Sequence, residues 1–199
     1  MVGVLVGFTL GSIPFSVWLG RAMLGVDIRD YADHNPGATN AWRAGGWKAG
    51  LPAAFLDYSK GLAAVALTRS FDGMPQPGLW AAALGAVAGH AFSPLLGFRG
   101  GKAVAATFGV WTGLMGLRGF LALGVSGGMV QLVLLYRSTD GVKTLLTMVG
   151  LCVYLAATGA PPGLLVTCTA NAAIMTFKQC QYGTFLAERA AGPGFGAKQ

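Results

Sequence analysis

The chain is short of charge. Asp, Glu, Lys and Arg make up 11% of its 199 residues, against about 25% in an ordinary soluble domain. Hydrophobic residues reach 54% and mean hydropathy is +0.58. A soluble fold of this size is excluded, because much of any small domain's surface stays exposed to water. Cysteine is scarce too. Cys152, Cys168 and Cys180 show no CxxC spacing and lie in or just beyond the late apolar stretches, so they read as small apolar fillers. Acidic side chains number 7 against 14 basic ones, a net charge of +7. That excess needs no nucleic acid, since basic loops facing anionic lipid headgroups account for it. What is abundant is glycine, 32 residues, with 9 prolines, a composition that suits membrane helices better than soluble ones.

Crossing a hydrocarbon core of roughly 30 Å takes about 20 helical residues. Residues 1–20 carry no charged side chain and end at Arg21. Rich in glycine and without a basic start, they read as a retained span rather than a signal peptide. Residues 49–68 are apolar apart from Asp57 and Lys60, and residues 73–98 are uncharged with one histidine, His90. Residues 103–117 and 119–136 form two shorter runs split by Arg118. Residues 144–177 are too long for one helix and are interrupted by Pro161-Pro162, which reads as a turn because proline restrains its predecessor away from the helix. The expectation is an all-α polytopic membrane protein, a bundle of seven transmembrane helices. It forms one domain over residues 1–191, followed by a flexible glycine-rich tail over residues 192–199.

The basic residues orient the bundle. Arg21, Arg29, Arg43, Lys48, Arg99, Lys102, Arg137 and Lys143 fall in one set of loops, and Lys178, Arg189 and Lys198 follow on the same side. The opposite loops hold Arg69 and Arg118. The positive-inside rule then predicts an N-terminus outside and a C-terminus in the cytoplasm. Gly3, Gly7 and Gly11 repeat every four residues, as do Gly85 with Gly89 and Gly124 with Gly128, spacing that lets helices approach closely.

Any chemistry falls to the inner loops. Residues 21–48 include Asn35-Pro36-Gly37-Ala38-Thr39-Asn40, with Arg43 three residues on. Small side chains let backbone N–H groups close on a phosphate, and arginine adds a planar fork. The alternative is a solvated turn. Residues 97–103, Gly-Phe-Arg-Gly-Gly-Lys-Ala, run straight into an apolar stretch. Gly100, Gly101 and Lys102 could seat phosphate at a helix N-terminus, or form an ordinary basic inner loop. The segment is not a Walker A loop, because Leu96 and Ala103 occupy the diagnostic positions. Asp57 and Lys60 share a helix face. Each is expensive inside a membrane, so they should face the bundle interior, as a structural pair or as part of a site. His90 is open to the same two readings.

Gly11-Ser12-Ile13-Pro14-Phe15, the asparagine loop with Arg43, Leu56-Asp57-Tyr58-Ser59-Lys60-Gly61, Gly89-His90 and residues 97–102 together resemble the bacterial acyl-phosphate-dependent glycerol-3-phosphate acyltransferases, the PlsY family. Order and spacing match over roughly the first 110 residues. The resemblance implies seven membrane helices in the bacterial inner membrane, with the active site facing the cytoplasm. It implies transfer of a fatty acyl group from acyl phosphate to glycerol 3-phosphate, giving 1-acyl-glycerol 3-phosphate and phosphate in phospholipid synthesis, with no cofactor and no metal. Membrane lipid would be the other partner. Arg43, Gly37, Gly100, Gly101 and Lys102 would hold phosphate, and Asn35, Thr39 and Asn40 would orient substrate or stabilise the oxyanion.

Three places depart from the family pattern. Gly-Ser-Gly usually precedes the asparagine, where this chain has Ala32-Asp33-His34, so the family's serine aligns with Asp33. A serine-containing inner stretch has become Arg137-Ser138-Thr139-Asp140-Gly141-Val142. A histidine and an asparagine near the family's C-terminal end are absent from Thr176-Phe177-Lys178-Gln179-Cys180. A carboxylate at position 33 should repel phosphate. His34 is the titratable group there suited to neutral pH and the expected catalytic replacement, with Lys178 as a further substitute. The other class of reading is a non-enzymatic membrane relative that binds lipid or phosphate.

Overall fold

Backbone polar groups in lipid must pair within the segment, which leaves the helix as the natural element for such a sequence. A computed structural model describes residues 1–134 and 139–190, with residues 184–190 described by their backbone alone. Its helices are α1 (Val2–Gly11), α2 (Phe15–Leu19), α3 (Ala38–Gly45), α4 (Trp47–Arg69), α5 (Gln76–Ala91), α6 (Val104–Met115), α7 (Leu117–Leu134), α8 (Asp140–Ala157) and α9 (Pro162–Ala190). There is no strand among the described residues. Arg137, Ser138 and the tail over 192–199 lie outside them.

Glycine decides which helices touch. A Cβ at Gly3, Gly7 or Gly11 would lie 2.1 Å from the carbonyl oxygen of Gly78, Ala82 or Ala86 on α5. From the other side, a Cβ at Gly85 or Gly89 would lie 2.6 or 2.3 Å from the carbonyls of Val4 and Phe8. The α1–α5 contact is therefore backbone against backbone, as small-xxx-small spacing predicts. Gly61 and Gly109 make the same kind of contact between α4 and α6. Gly124 and Gly128 differ from expectation: a Cβ at either would meet no other element within 4 Å, because α7 turns that face away from the bundle. The core fills in between, with Val65, Val87, Trp111, Leu123, Met148 and Leu151 buried together.

Segment ends differ from the sequence reading for identifiable reasons. The first apolar stretch is not one helix. Pro14 cannot continue α1, so the chain breaks after Gly11, resumes as α2 and ends in a wider turn over Gly20–Leu24. The break frees carbonyls, and other elements satisfy them: Lys60 Nζ donates to the Ile13 carbonyl at 2.7 Å and Ser93 Oγ to that of Ser12 at 2.5 Å. α6 and α7 separate at Gly116, whose φ of 65° is left-handed, rather than at Arg118. α8 starts at Asp140, capped by Thr139, and α9 begins at Pro162 and runs well past Phe177 to Ala190.

Among the described residues, four stretches are long and apolar enough to cross a membrane: Val2–Leu24, Gln76–Leu96, Leu117–Leu134 and Asp140–Ala157. α6, with 12 residues, reaches only about 18 Å at 1.5 Å per residue.

Candidate active site

The long inner loop is folded rather than irregular. Asp27 accepts from the Arg29 backbone N–H at 3.0 Å and from its guanidinium at 2.9 and 2.6 Å, with Arg21 adding a bond at 2.8 Å. The Arg29 guanidinium, against the opposing effect of burial and with help from Arg21, holds the Asp27 carboxyl well below the usual carboxylate range. Ala32 and His34 both take left-handed backbone, with φ of 46° and 59°, a region most L-residues avoid. The tight turn they form aims Asp33 inward, where it is 5% exposed.

Asn40, on the first turn of α3, clamps this loop. Its Nδ2 donates to the carbonyls of Tyr31 and Asn35, both at 2.9 Å, and to Asp33 Oδ1 at 3.0 Å, while its Oδ1 accepts from Arg43 Nη1 at 2.9 Å. Residues 97–103 arrive from the other side. Gly101 N–H donates to the His90 carbonyl at 3.0 Å, and a Cβ at Gly100 would fall 2.0 Å from that oxygen. Only glycine can lie this close to the end of α5. Tyr182 on α9 fixes the segment from behind, its hydroxyl donating to the Gly100 carbonyl at 2.8 Å. The Lys102 N–H donates to Asn35 Oδ1 at 3.2 Å.

The two loops meet at Asp33. Lys102 Nζ lies 2.9 Å from Asp33 Oδ2, and Arg43 Nη1 lies 3.8 Å from Oδ1. The Asn35 N–H adds a bond to Oδ1 at 3.3 Å. Burial raises the Asp33 carboxyl, but the Lys102 ammonium and these N–H donors outweigh it, and the group stays below its ordinary pKa.

In front of this cluster is a cavity of about 350 Å³ lined by Asn35, Gly37, Thr39, Arg43 and Lys102, with Asp57 and His90 at its inner wall. The N-terminal turns of α3 and α6 also line it, so two helix dipoles present their positive ends to one space. A second cavity of about 370 Å³ lies among α6, α7, α8 and α9 and shares Val104, Asp140 and Gln179 with the first. Phe108, Leu123, Met148 and Met175 make that part of it apolar.

Asp57 and Lys60 pair at 2.9 Å, each side chain 2% exposed. Ser16 Oγ donates to Asp57 Oδ2 at 2.6 Å, and His90 Nδ1 lies 3.7 Å from Oδ1. Lys60 faces the broken first segment rather than the cavity. Of the expected site residues, the structure thus brings Asn35, Gly37, Thr39, Asn40, Arg43 and Lys102 together, with Gly100 and Gly101 forming the loop that carries Lys102. His34 sits elsewhere. It lines a separate cavity of about 630 Å³ with Arg29, Arg99 and Tyr182, and its Nδ1 contacts the Arg29 carbonyl. Lys178 is buried, with its ammonium over the rings of Phe92 and Tyr182 at 5.1 and 5.5 Å and bonded to Gln181 Oε1 at 2.9 Å. Sequence reasoning missed Tyr182, Asp140 and Gln179. Tyr182 falls four residues after Lys178, on the same helix face, which was the available signal.

Helices that meet backbone to backbone, a broken first segment and a cavity lined by Arg43, Lys102 and two helix N-termini define a helical membrane protein with a basic cavity. A sequence profile described as glycerol-3-phosphate acyltransferase matches residues 1–182, and the chain belongs to that family. A glycerol-3-phosphate acyltransferase 1 of Thermotoga maritima is 43% identical over 119 residues, 58% of this chain and 58% of that protein. The glycerol-3-phosphate acyltransferase of Anaeromyxobacter dehalogenans (strain 2CP-C) is 44% identical over 123 residues, 57% of this chain and 61% of that one. The chain thus spans about three fifths of the length of these curated relatives. The crystal structure of PlsY (YgiH), an integral membrane glycerol 3-phosphate acyltransferase, in its glycerol 3-phosphate form, superposes with a TM-score of 0.77. That match has 26% identity and covers 94% of this chain and 92% of the other.

Proposed function

We propose that this protein transfers a fatty acyl group from acyl phosphate to glycerol 3-phosphate, releasing 1-acyl-glycerol 3-phosphate and phosphate for phospholipid synthesis. The observation that carries the reading is a cationic polar cavity lying beside a second one that is apolar along Phe108, Leu123, Met148 and Met175, the two sharing Val104, Asp140 and Gln179 in their linings. Arg43, Lys102 and the two helix N-termini suit phosphate, and the space beside Phe108 and Met148 suits an acyl chain.

The reaction asks for little covalent help from the protein. A hydroxyl oxygen of glycerol 3-phosphate attacks the acyl carbon, a C–O ester bond forms, and the bond from that carbon to the phosphate oxygen breaks. Phosphate leaves with the electron pair and is basic enough to carry off the hydroxyl proton. What remains is to position two anions and stabilise the developing oxyanion. Arg43 and Lys102 neutralise phosphate, Thr39 and Asn35 line the reacting space, and Asn40 holds the loop and orients the Arg43 guanidinium. His34, on the far wall, supports the loop through the Arg29 carbonyl.

The same reading has seven crossings, an N-terminus outside, a C-terminus in the cytoplasm and a site facing the cytoplasm of a bacterial inner membrane. The split of basic residues between the two sets of loops supports it. The test is an assay of purified protein with acyl phosphate and glycerol 3-phosphate, following lysophosphatidate and released phosphate. Failure to form either product, with a typical family member active alongside, would sink the proposal.

A further inference from the structure

Asp33 already occupies the place prepared for an anion. Its two carboxylate oxygens receive the Lys102 ammonium at 2.9 Å, the Asn40 amide at 3.0 Å and the Asn35 N–H at 3.3 Å, with the Arg43 guanidinium at 3.8 Å. These are the groups that the proposed function assigns to substrate phosphate and its loop. The Asp33 side chain is buried, and so largely is that of Lys102, while Arg43 reaches half into solvent.

A charge count shows the consequence. Lys102, Arg43 and Asp33 together leave one net positive charge; Asp140, 3.8 Å from Lys102 Nζ, is 71% exposed, so solvent screens it. A phosphate ester near neutral pH carries close to two negative charges. Adding it with Asp33 in place makes the cluster net negative, whereas adding it with Asp33 gone makes the cluster neutral. Around the buried Asp33 and Lys102 the neutral arrangement is favoured, since like charges a few ångströms apart interact strongly there.

The structure offers the carboxylate somewhere to go. Asp33 is the wall between two cavities, lining both the Arg43–Lys102 space and the larger one on its far side. On that far side Arg29 is committed to Asp27, whereas the Arg99 guanidinium is exposed and makes no ion pair among the described residues.

The geometry points to Asp33 as a resident competitor and specificity-determining residue: its carboxylate holds Lys102 and Arg43 until a substrate phosphate displaces it toward Arg99. The site would then accept a dianion, which can outcompete a carboxylate, and discriminate against singly charged ligands. The inference rests on the phosphate-site reading above but not on turnover.

The test is calorimetric titration of the full chain in detergent with inorganic phosphate and with glycerol 3-phosphate. Asp33→Asn should tighten both by about tenfold or more, as expected for removing one close like charge. Asp33→Ser reads the same effect if the amide disturbs the turn, and melting curves confirm that each variant is folded. Arg99→Ala should weaken phosphate binding in the parent yet change it less than about twofold in Asp33→Asn, the signature of two coupled residues. Affinity that is unchanged or lowered in both Asp33 variants overturns the competitor role. An equal Arg99→Ala effect in both backgrounds overturns the displacement. Loss of acyl transfer with the Asp33–Arg99 coupling intact would instead remove the enzymatic reading and leave this one standing.

Discussion

Replacing Asp57 by Asn would leave Lys60 as a cation inside α4 with no carboxylate within 4 Å, since Asp57 is its ion-pair partner among the described residues. The magnitude follows from burial. Both side chains are 2% exposed, and removing one partner of a buried pair typically costs about 3–5 kcal/mol. Replacing Lys60 by Met should cost a similar amount. It orphans Asp57 and also strips the Ile13 carbonyl of its donor at 2.7 Å, at the break before Pro14. Removing both charges together, as Asp57→Asn with Lys60→Met, leaves no buried ion. The remaining loss is the donor to Ile13, about 1–3 kcal/mol for an unsatisfied buried group. The double variant should therefore be more stable than either single one. Thermal unfolding in detergent reads this. Each single variant should melt roughly 6–20 °C lower, at about 2–4 °C per kcal/mol for a chain of this length, and the double variant should recover part of that. Additive losses, with the double variant melting lowest, would refute the pairing argument. Activity separates structure from chemistry. Acyl transfer that stays absent in a double variant with recovered stability would assign Asp57, at the cavity wall with His90, a part in the site itself.

Three other outcomes are expected. Arg43→Ala and Lys102→Ala should each weaken phosphate-substrate use by about tenfold to hundredfold, the range for a charge-assisted hydrogen bond; Arg43→Ala should melt near the parent, whereas Lys102→Ala should melt lower because it leaves the buried Asp33 carboxylate without its nearest cation; Arg43→Lys should rescue only in part, because an ammonium lacks the planar fork. In a background lacking Cys152, Cys168 and Cys180, Trp47→Cys should be labelled from the cytoplasm only and Gln76→Cys from outside only, and labelling of both from one face would overturn the orientation. The folded pKa values of Asp27 and Asp33 lie below normal, so the stability these carboxylates contribute is fully present above about pH 4 and is lost as pH falls through their lowered values. Melting temperature should be insensitive to them from pH 5 to 8 and drop in acid, with a shallower acid limb in Asp33→Asn.

The sequence by itself determined the helical, lipid-facing character of this chain and most of its segment positions, because apolar length and proline placement act locally. The small-residue spacing on α1 and α5 was legible for the same reason: three glycines on one face leave room for a neighbouring backbone, and α5 fills it. The loop residues from Asn35 to Arg43 and the glycines before Lys102 were readable as anion-binding chemistry, since that depends on residue type and local backbone. Other features depend on distance in the chain. Nothing local says that Lys60 satisfies the carbonyl freed at Ile13, or that Tyr182 pins Gly100. The same holds for Gly124 and Gly128, whose spacing matches that of α1 but where an added Cβ would meet no other element within 4 Å. Asp33 is the clearest case. From sequence it is a carboxylate that would repel phosphate from a distance. Tertiary packing brings the N-terminal turns of α3 and α6 to one cavity, Lys102 is delivered to a residue 69 positions earlier, and the carboxylate becomes the anion those cations already hold. Charge is a property of each residue, but its partner is chosen only when the helices that carry both are packed, because Coulomb energy depends on a separation that no local rule sets.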